Sequence, residues 1–227
     1  MTSEQNNSVL SISDIKHALY INLEHRTDRN THVSEQLTKI GIKNPIRFNA
    51  IKLASGAIGC SMSHLKCLNI AKEQGWPHVL ICEDDIEFLD PELFINQMNG
   101  FLKNNNTWDV ILIAGNNMPP YTVENEYSVR VSRCQTTTGY LINQNYYDTL
   151  INNIKEGLQK LMMEPHNHRF FAIDKYWFSL QKQDLWFLIT PLTVVQREDY
   201  SDIEKKQTNY KKPMTDLDKK SYFRPKI

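Results

Sequence analysis

The chain has 227 residues, 41% hydrophobic and 23% charged, which suits one moderate-sized globular domain with a real core. Lys plus Arg and Asp plus Glu both number 26, so the formal net charge is zero, and with no basic stripe nucleic acid is not an expected partner. No run reaches the ~18 apolar residues of a membrane span, and residues 1–8 lack the apolar centre of a signal peptide.

Residues 18–23 (ALYINL) form a short apolar run of strand length. Thr27 is placed to cap a helix with Val33, Leu37 and Ile40 on one face, and Gly41 is its natural stop. A second strand over 46–51 (IRFNAI) completes a β-α-β unit, which favours a parallel sheet. Residues 55–74 predict a helix ending at Gly75, followed by a buried strand at 78–82 (HVLIC) that runs into Glu83, Asp84 and Asp85. A helix is expected over 94–103 and a strand over 108–114 (WDVILIA), closed by a turn at 115–120. Val129 and Val131 alternate with charged neighbours in 127–134, the pattern of an edge or antiparallel strand.

From Asn143 the period lengthens, and Tyr147, Leu150, Ile151, Ile154, Leu158 and Leu161 mark one face of a long amphipathic helix. A short helix over 174–181 has Asp174 near its start, and 184–195 (DLWFLITPLTVV) supplies a last strand with a bend at Pro191. The expected fold is α/β, with a mainly parallel central sheet flanked by helices and an antiparallel addition late in the chain. Residues 1–14 read as a polar extension, 15–203 as the main domain and 204–227 as a polar Lys-rich extension. Cys60, Cys67, Cys82 and Cys134 lie in apolar stretches without a C-x-x-C pair, so reduced core cysteines of a cytoplasmic protein are expected.

The most informative segment is VLICEDDIEF, residues 79–88. A hydrophobic strand delivers three acids at its carboxyl end, where open α/β sheets hold their ligands. Strand alternation turns Glu83 and Asp85 the same way and Asp84 elsewhere. Crowded carboxylates repel unless a cation sits among them, and hard oxygen ligands favour Mn²⁺ or Mg²⁺. A solvated acidic turn is the plainer alternative. The chain has neither G-x-x-x-x-G-K-[ST] nor G-x-G-x-x-G, so a metal would have to anchor any diphosphate.

The order YINLEHRTDR (20–29), IGCSMSHLKCL (58–68), VLICEDDIEF (79–88), TTTGYLIN (136–143) and AIDKYW (172–177) resembles glycosyltransferase family 25, the lipooligosaccharide and collagen β-galactosyltransferases. QREDYSDI, from residue 196 to 203, is similar to the family's closing segment. The resemblance implies a GT-A type nucleotide-sugar-binding fold, an inverting transfer, and a Glu-x-Asp in place of the usual Asp-x-Asp. It makes residues 15–203 the catalytic domain, with a UDP-sugar as donor and a glycan or protein hydroxyl as acceptor. Galactose is the expected sugar on this ground alone; glucose and N-acetylglucosamine stay open.

Asp85 is the expected direct metal ligand, with Glu83 on the ribose or on the metal through water. A metal there offsets charge on the diphosphate leaving group, the main demand of an oxocarbenium-like reaction. By the family segment Asp174 is the base for the acceptor hydroxyl; a plain helix N-cap is the alternative. Asn22, Leu23, Arg26 and Arg29 follow the first strand and are expected beside the donor, although Arg26 is equally suited to a surface ion pair with Glu24 or Asp28. Ser63, His64, Asp84, Thr138 and Gly139 complete the expected donor set, with Thr137 beside them. Gln196, Ser201 and Asp202 are placed to close over the diphosphate. Tyr176 and Trp177 offer either a sugar platform or two buried aromatics.

Positions 60, 64 and 67 share a helix face, so a zinc site is conceivable, but three ligands on one helix favour a packed stripe. A metal-dependent phosphohydrolase would need more His and Asp ligands than the chain presents. A non-catalytic sugar-binding domain on the same fold is the other rival.

Overall fold

The computed structural model describes residues 9–201 and 205–220. It begins with β1 (Ala18–Asn22), α1 (Thr27–Lys39) and β2 (Ile46–Asn49), and β1 and β2 pair in parallel. Thr27 is the first helical residue rather than the cap; Arg26 takes the cap position without a side-chain cap bond. Gly41, at φ +81°, ends α1 by letting its own N–H reach Thr38 O and that of Ile42 reach Leu37 O, at 3.0 and 3.1 Å.

Helix α2 (Gly56–Glu73) ends the same way at Gly75 and leads into β3 (His78–Glu83) and the short β4 (Ile86–Phe88). At Gly59 of α2 a methyl group would lie 2.4 Å from the carbonyl oxygen of Ile51, so the helix approaches the loop after β2 as only glycine allows. Helix α3 (Pro91–Asn104) starts three residues before its first expected apolar position. Asp90 caps it by accepting from Leu93 N–H at 3.0 Å, with Pro91 at the first helical position.

Next come β5 (Val110–Leu112), β6 (Asn116–Asn117), β7 (Tyr121–Asn125), β8 (Ser128–Val131), β9 (Cys134–Gln135) and β10 (Gly139–Asn143). The long amphipathic α4 (Tyr147–Met163) follows, then the short α5 (His168–Phe171), α6 (Ile173–Tyr176) and α7 (Phe178–Gln183). The expected last strand is two: β11 (Trp186–Ile189) in the main sheet and β12 (Val194–Gln196) paired with β4, separated by a cis Thr190–Pro191 peptide. β13 (Asp199–Ser201), β14 (Lys206–Thr208) and α8 (Lys211–Thr215) complete the described chain.

The main sheet has eight strands in the order β2-β1-β3-β10-β5-β11-β8-β7. Six of them run one way; β10 and β8 run against their neighbours. The α/β class and mainly parallel sheet are as expected, but the antiparallel strand β10 sits in the middle of the sheet, between β3 and β5. Its Tyr140, Leu141 and Ile142 are fully buried, and a continuous apolar run carries no direction signal.

Side-chain alternation splits the core into two layers. Leu80 and Cys82 of β3 face α1 and α3, while Val79 and Ile81 face α2 and α4. The polar-looking ends also pack: Val9, Ile12 and Met214 belong to the first layer. Among the described residues no helix is long and apolar enough to cross a membrane.

At the start of β3, His78 is buried, and neither ring nitrogen has a hydrogen-bond partner among the described residues. Burial, reinforced by His17 and Lys16 and opposed by Asp14, pushes its pKa down to about 4. Above the unfolded value of about 6.5 both states are neutral and the group contributes nothing. As pH falls from 6.5 towards 4, the unfolded chain takes a proton that the folded chain refuses, so stability is lost. His78→Phe should therefore lose on the order of 2–3 kcal/mol less than wild type between pH 7 and pH 4 in urea unfolding. Equal losses in the two proteins would show that His78 protonates freely in the fold.

Candidate functional site

The site is built at the carboxyl ends of β1 and β3. Asn22 ends β1 and donates to Asp84 Oδ2 at 2.8 Å and to the Arg26 carbonyl at 3.0 Å, while accepting from Arg47 Nε at 2.9 Å. Arg29, on the first turn of α1, donates to Asp84 Oδ1 at 3.0 Å, lies 3.7 Å from Asp85 Oδ2, and also binds Asp199 Oδ2 at 3.1 Å and the Tyr200 carbonyl at 2.9 Å. Arg26 pairs with Asp28 at 3.0 Å and with Asp199 at 2.9 Å. Leu23 is half-buried, its carbonyl accepting from Arg26 N–H at 2.9 Å.

The three acids have different surroundings. Asp84 faces Asn22 and Arg29; burial still raises its pKa, with Arg29 and Asn22 offsetting part of the effect. Glu83 points the other way: its Oε1 accepts from Thr137 Oγ1 at 2.6 Å, and its Oε2 accepts from Gln196 Nε2 at 3.1 Å. His64 Nε2 lies 3.4 Å and Cys60 Sγ 3.6 Å from the same Oε1. Burial raises the Glu83 carboxyl, but His64, Thr137 and Cys60 together hold it below the usual value.

Asp85 has a side-chain exposure of only 17%, and its buried Oδ1 has no hydrogen-bond partner among the described residues. Burial, then the Glu83 and Asp84 charges, push its pKa up to about 8, and Arg29 offsets only part of this.

The central position of β10 brings the loop before it to this end of the sheet, because an antiparallel strand starts where its neighbour finishes. Gly139 is paired with Cys82, and Glu83 N–H donates to the Thr138 carbonyl at 2.9 Å. A side chain at Gly139 would lie 2.7 Å from Ile113 Cγ1, so the close approach needs glycine. Thr136 sits at φ +77°, an unfavourable conformation for a β-branched residue, and its N–H donates to Asp174 Oδ2 at 3.2 Å. Thr138 Oγ1 donates to Thr136 Oγ1 at 3.2 Å. One short loop thus contacts Glu83 through Thr137 and Asp174 through Thr136.

Asp174 is not the N-cap of its helix: Ala172 holds that position, and Asp174 lies inside α6 with Lys175 3.5 Å from its Oδ2. Burial rules out the sugar-platform reading for Trp177. Trp177 is fully buried against Tyr140 and Trp186, its indole N–H on the Cys134 carbonyl at 3.0 Å, and Tyr176 packs over Gly157 with its hydroxyl on Lys160.

Ser63 works at one remove: its hydroxyl donates to the Gly59 carbonyl at 2.7 Å and accepts from Ile51 N–H at 2.9 Å, fixing the loop after β2 to α2. Cys67 packs in the core, so the expected stripe of 60, 64 and 67 divides, with Cys60 and His64 at Glu83. Gln196 reaches the site through the β4–β12 pair, which also sets Arg197 N–H on the Asp85 carbonyl at 2.8 Å. Ser201 ends β13, and Asp202 lies outside the described residues. Arg47 joins the site without any signal in the sequence beyond its charge, and Asp199 lies in the QREDYSDI segment, where the resemblance gives it no role.

The acids lie at the strand ends of an open α/β sheet, where such sheets hold their ligands. The profile of glycosyltransferase family 25 (LPS biosynthesis protein) matches residues 48–177, more than half of the chain, and the chain belongs to this family. The family is one of glycosyltransferases, and the chain's mostly parallel central sheet flanked by helices is an α/β arrangement. No curated protein sequence matches the chain.

Among solved structures, mannose-1-phosphate geranyltransferase from Thermus thermophilus is 11% identical, covers 78% of this chain and 60% of its own, and has a TM-score of 0.41. A mutant Drosophila beta-1,4-galactosyltransferase 7 solved with manganese, UDP-Gal and xylobiose is 13% identical over 59% of this chain and 51% of its own, with a TM-score of 0.38. A glycosyltransferase that acts in glycosylation of the PBCV-1 major capsid is 11% identical over 76% of this chain and 92% of its own, with a TM-score of 0.42. The chain spans less than two thirds of the length of the first two.

Proposed function

We propose that this glycosyltransferase moves a hexose, galactose first, from a UDP-sugar to a hydroxyl of a glycan or protein side chain, inverting the anomeric centre, in the cytoplasm. The observation that carries the reading is Asp85, a carboxylate with an oxygen unpartnered among the described residues and a proton affinity raised by burial and then by two neighbouring acids. Such a group fits a hard divalent cation, Mn²⁺ or Mg²⁺, with Asp85 as direct ligand and Glu83 on the ribose or on a metal-bound water. A cation bound there supplies positive charge opposite the diphosphate leaving group.

The protein's own groups do the rest. Arg29 offsets the charge of Asp84 and Asp85 so that the acids can stay together, and Asn22 fixes the orientation of Asp84. Arg26 and Leu23 shape the loop after β1 as the donor's edge, while Ser63, His64, Thr138 and Gly139 hold the opposite wall. Asp174 takes the proton from the acceptor hydroxyl; the Thr136 N–H and Lys175 fix its position.

UDP-galactose, UDP-glucose and UDP-N-acetylglucosamine, each with Mn²⁺, test this through thermal stabilisation and slow donor hydrolysis. UDP-galactose should give the largest response, and chelation should remove it. A larger response to either other sugar changes the donor assignment, and no response to any uridine nucleotide overturns the reading.

A further inference from the structure

We propose that Cys60, His64 and Glu83 form a second cation site of different chemistry, an open site for a thiophilic divalent ion, Zn²⁺ first. Cys60 and His64 are one helical turn apart on α2, the i, i+4 spacing that puts two ligands on one face. Glu83 approaches from the end of β3, and one ligand atom from each of the three lies within 4.8 Å of the other two. The separations are 3.6 Å from Cys60 Sγ to Glu83 Oε1 and 3.4 Å from His64 Nε2 to the same oxygen. Tetrahedral zinc, with bonds of about 2.0–2.3 Å, spaces its N, O and S ligands by roughly 3.3–3.6 Å.

The surrounding contacts are those of a supported metal site. Tyr140 OH lies 3.0 Å from His64 Nδ1, fixing the ring with Nε2 towards Glu83. Thr137 and Gln196 hold the two oxygens of Glu83 from either side. His64 is fully buried, whereas Cys60 and Glu83 are part-exposed, which leaves the fourth coordination position open to water or ligand. The oxygen donors at Asp85 suit Mn²⁺ or Mg²⁺, and a thiol and an imidazole do not; the two sites share only Glu83. Binding converts the Cys60 thiol to thiolate and releases its proton to solvent.

The site can be tested on the whole chain without nucleotide or sugar, so its failure is separable from failure of the donor reading. One equivalent of Co²⁺ added to metal-free protein should produce a thiolate-to-cobalt charge-transfer band that Zn²⁺ abolishes by displacement. Cys60→Ser should remove the band and weaken Zn²⁺ binding by more than about a hundredfold, and Tyr140→Phe should weaken it by about tenfold. Asp85→Ala should keep the band. X-ray absorption of the zinc-loaded wild type, which needs no variant to fold, should show one sulfur at about 2.3 Å. A zinc shell of nitrogen and oxygen alone, or a band that survives Cys60→Ser, overturns the proposal.

Discussion

Asp85→Ala should remove cation-dependent donor stabilisation and lower transfer by at least about 10²–10³-fold, while leaving the metal-free fold equally or more stable. The first half follows from the proposed ligand role: without Asp85 nothing comparable offsets charge on the departing diphosphate, and lost electrostatic stabilisation of this kind costs that much. The second half follows from the resting environment. Asp85 is held where burial and two like charges push its pKa to about 8, and Arg29 at 3.7 Å only partly compensates. Deleting a buried carboxyl that folding forces to hold a proton at neutral pH is neutral or stabilising, and Arg29 keeps Asp84, Asp199 and Tyr200 as partners. Thermal unfolding in chelator, compared with transfer in Mn²⁺, separates these effects. An active Asp85→Ala enzyme would remove the centre of the proposal, and an inactive, badly destabilised one would make Asp85 structural.

Asp174→Asn should lower kcat by about 10²–10⁴-fold and leave donor binding and donor-induced stabilisation unchanged. The substitution keeps an oxygen to accept the Thr136 N–H and nearly the same volume inside α6, so what is lost is the ability to take a proton and the charge facing Lys175. Stopped transfer with intact Mn²⁺-dependent nucleotide binding identifies the base. Normal turnover of Asp174→Asn refutes the assignment, and a loss confined to KM would move Asp174 to substrate positioning.

What the sequence made legible was local. The apolar runs of β1 and β3, the one-faced pattern of α1 and α4, and Gly41 and Gly75 as helix stops depend on neighbours within a turn or two. The acidic triplet stood out for the same reason, because a strand followed at once by three acids is a contiguous signal. The place of β10 was not legible: its buried residues look alike in any direction, and its position depends on pairing with β3 and β5, far away in the chain. Arg47 was hidden similarly, since it meets Asn22 only across separate elements, and Gln196, expected over the diphosphate, gave no local sign that it would hold Glu83. Asp174 looked like a helix cap because Asp is a good one, but the helix starts one residue earlier and frees the carboxylate to meet Thr136.

The strand order has a practical corollary for anyone trimming this protein. The family match stops at residue 177, yet β11 lies beyond it and is wedged between β5 and β8. A fragment cut to the match would split the sheet, stranding β7 and β8 from the rest and laying bare the buried faces of Val110 and Leu112. The segment most recognisable by descent is thus shorter than the sheet it belongs to, and expression boundaries belong past Met214, which packs in the first core layer.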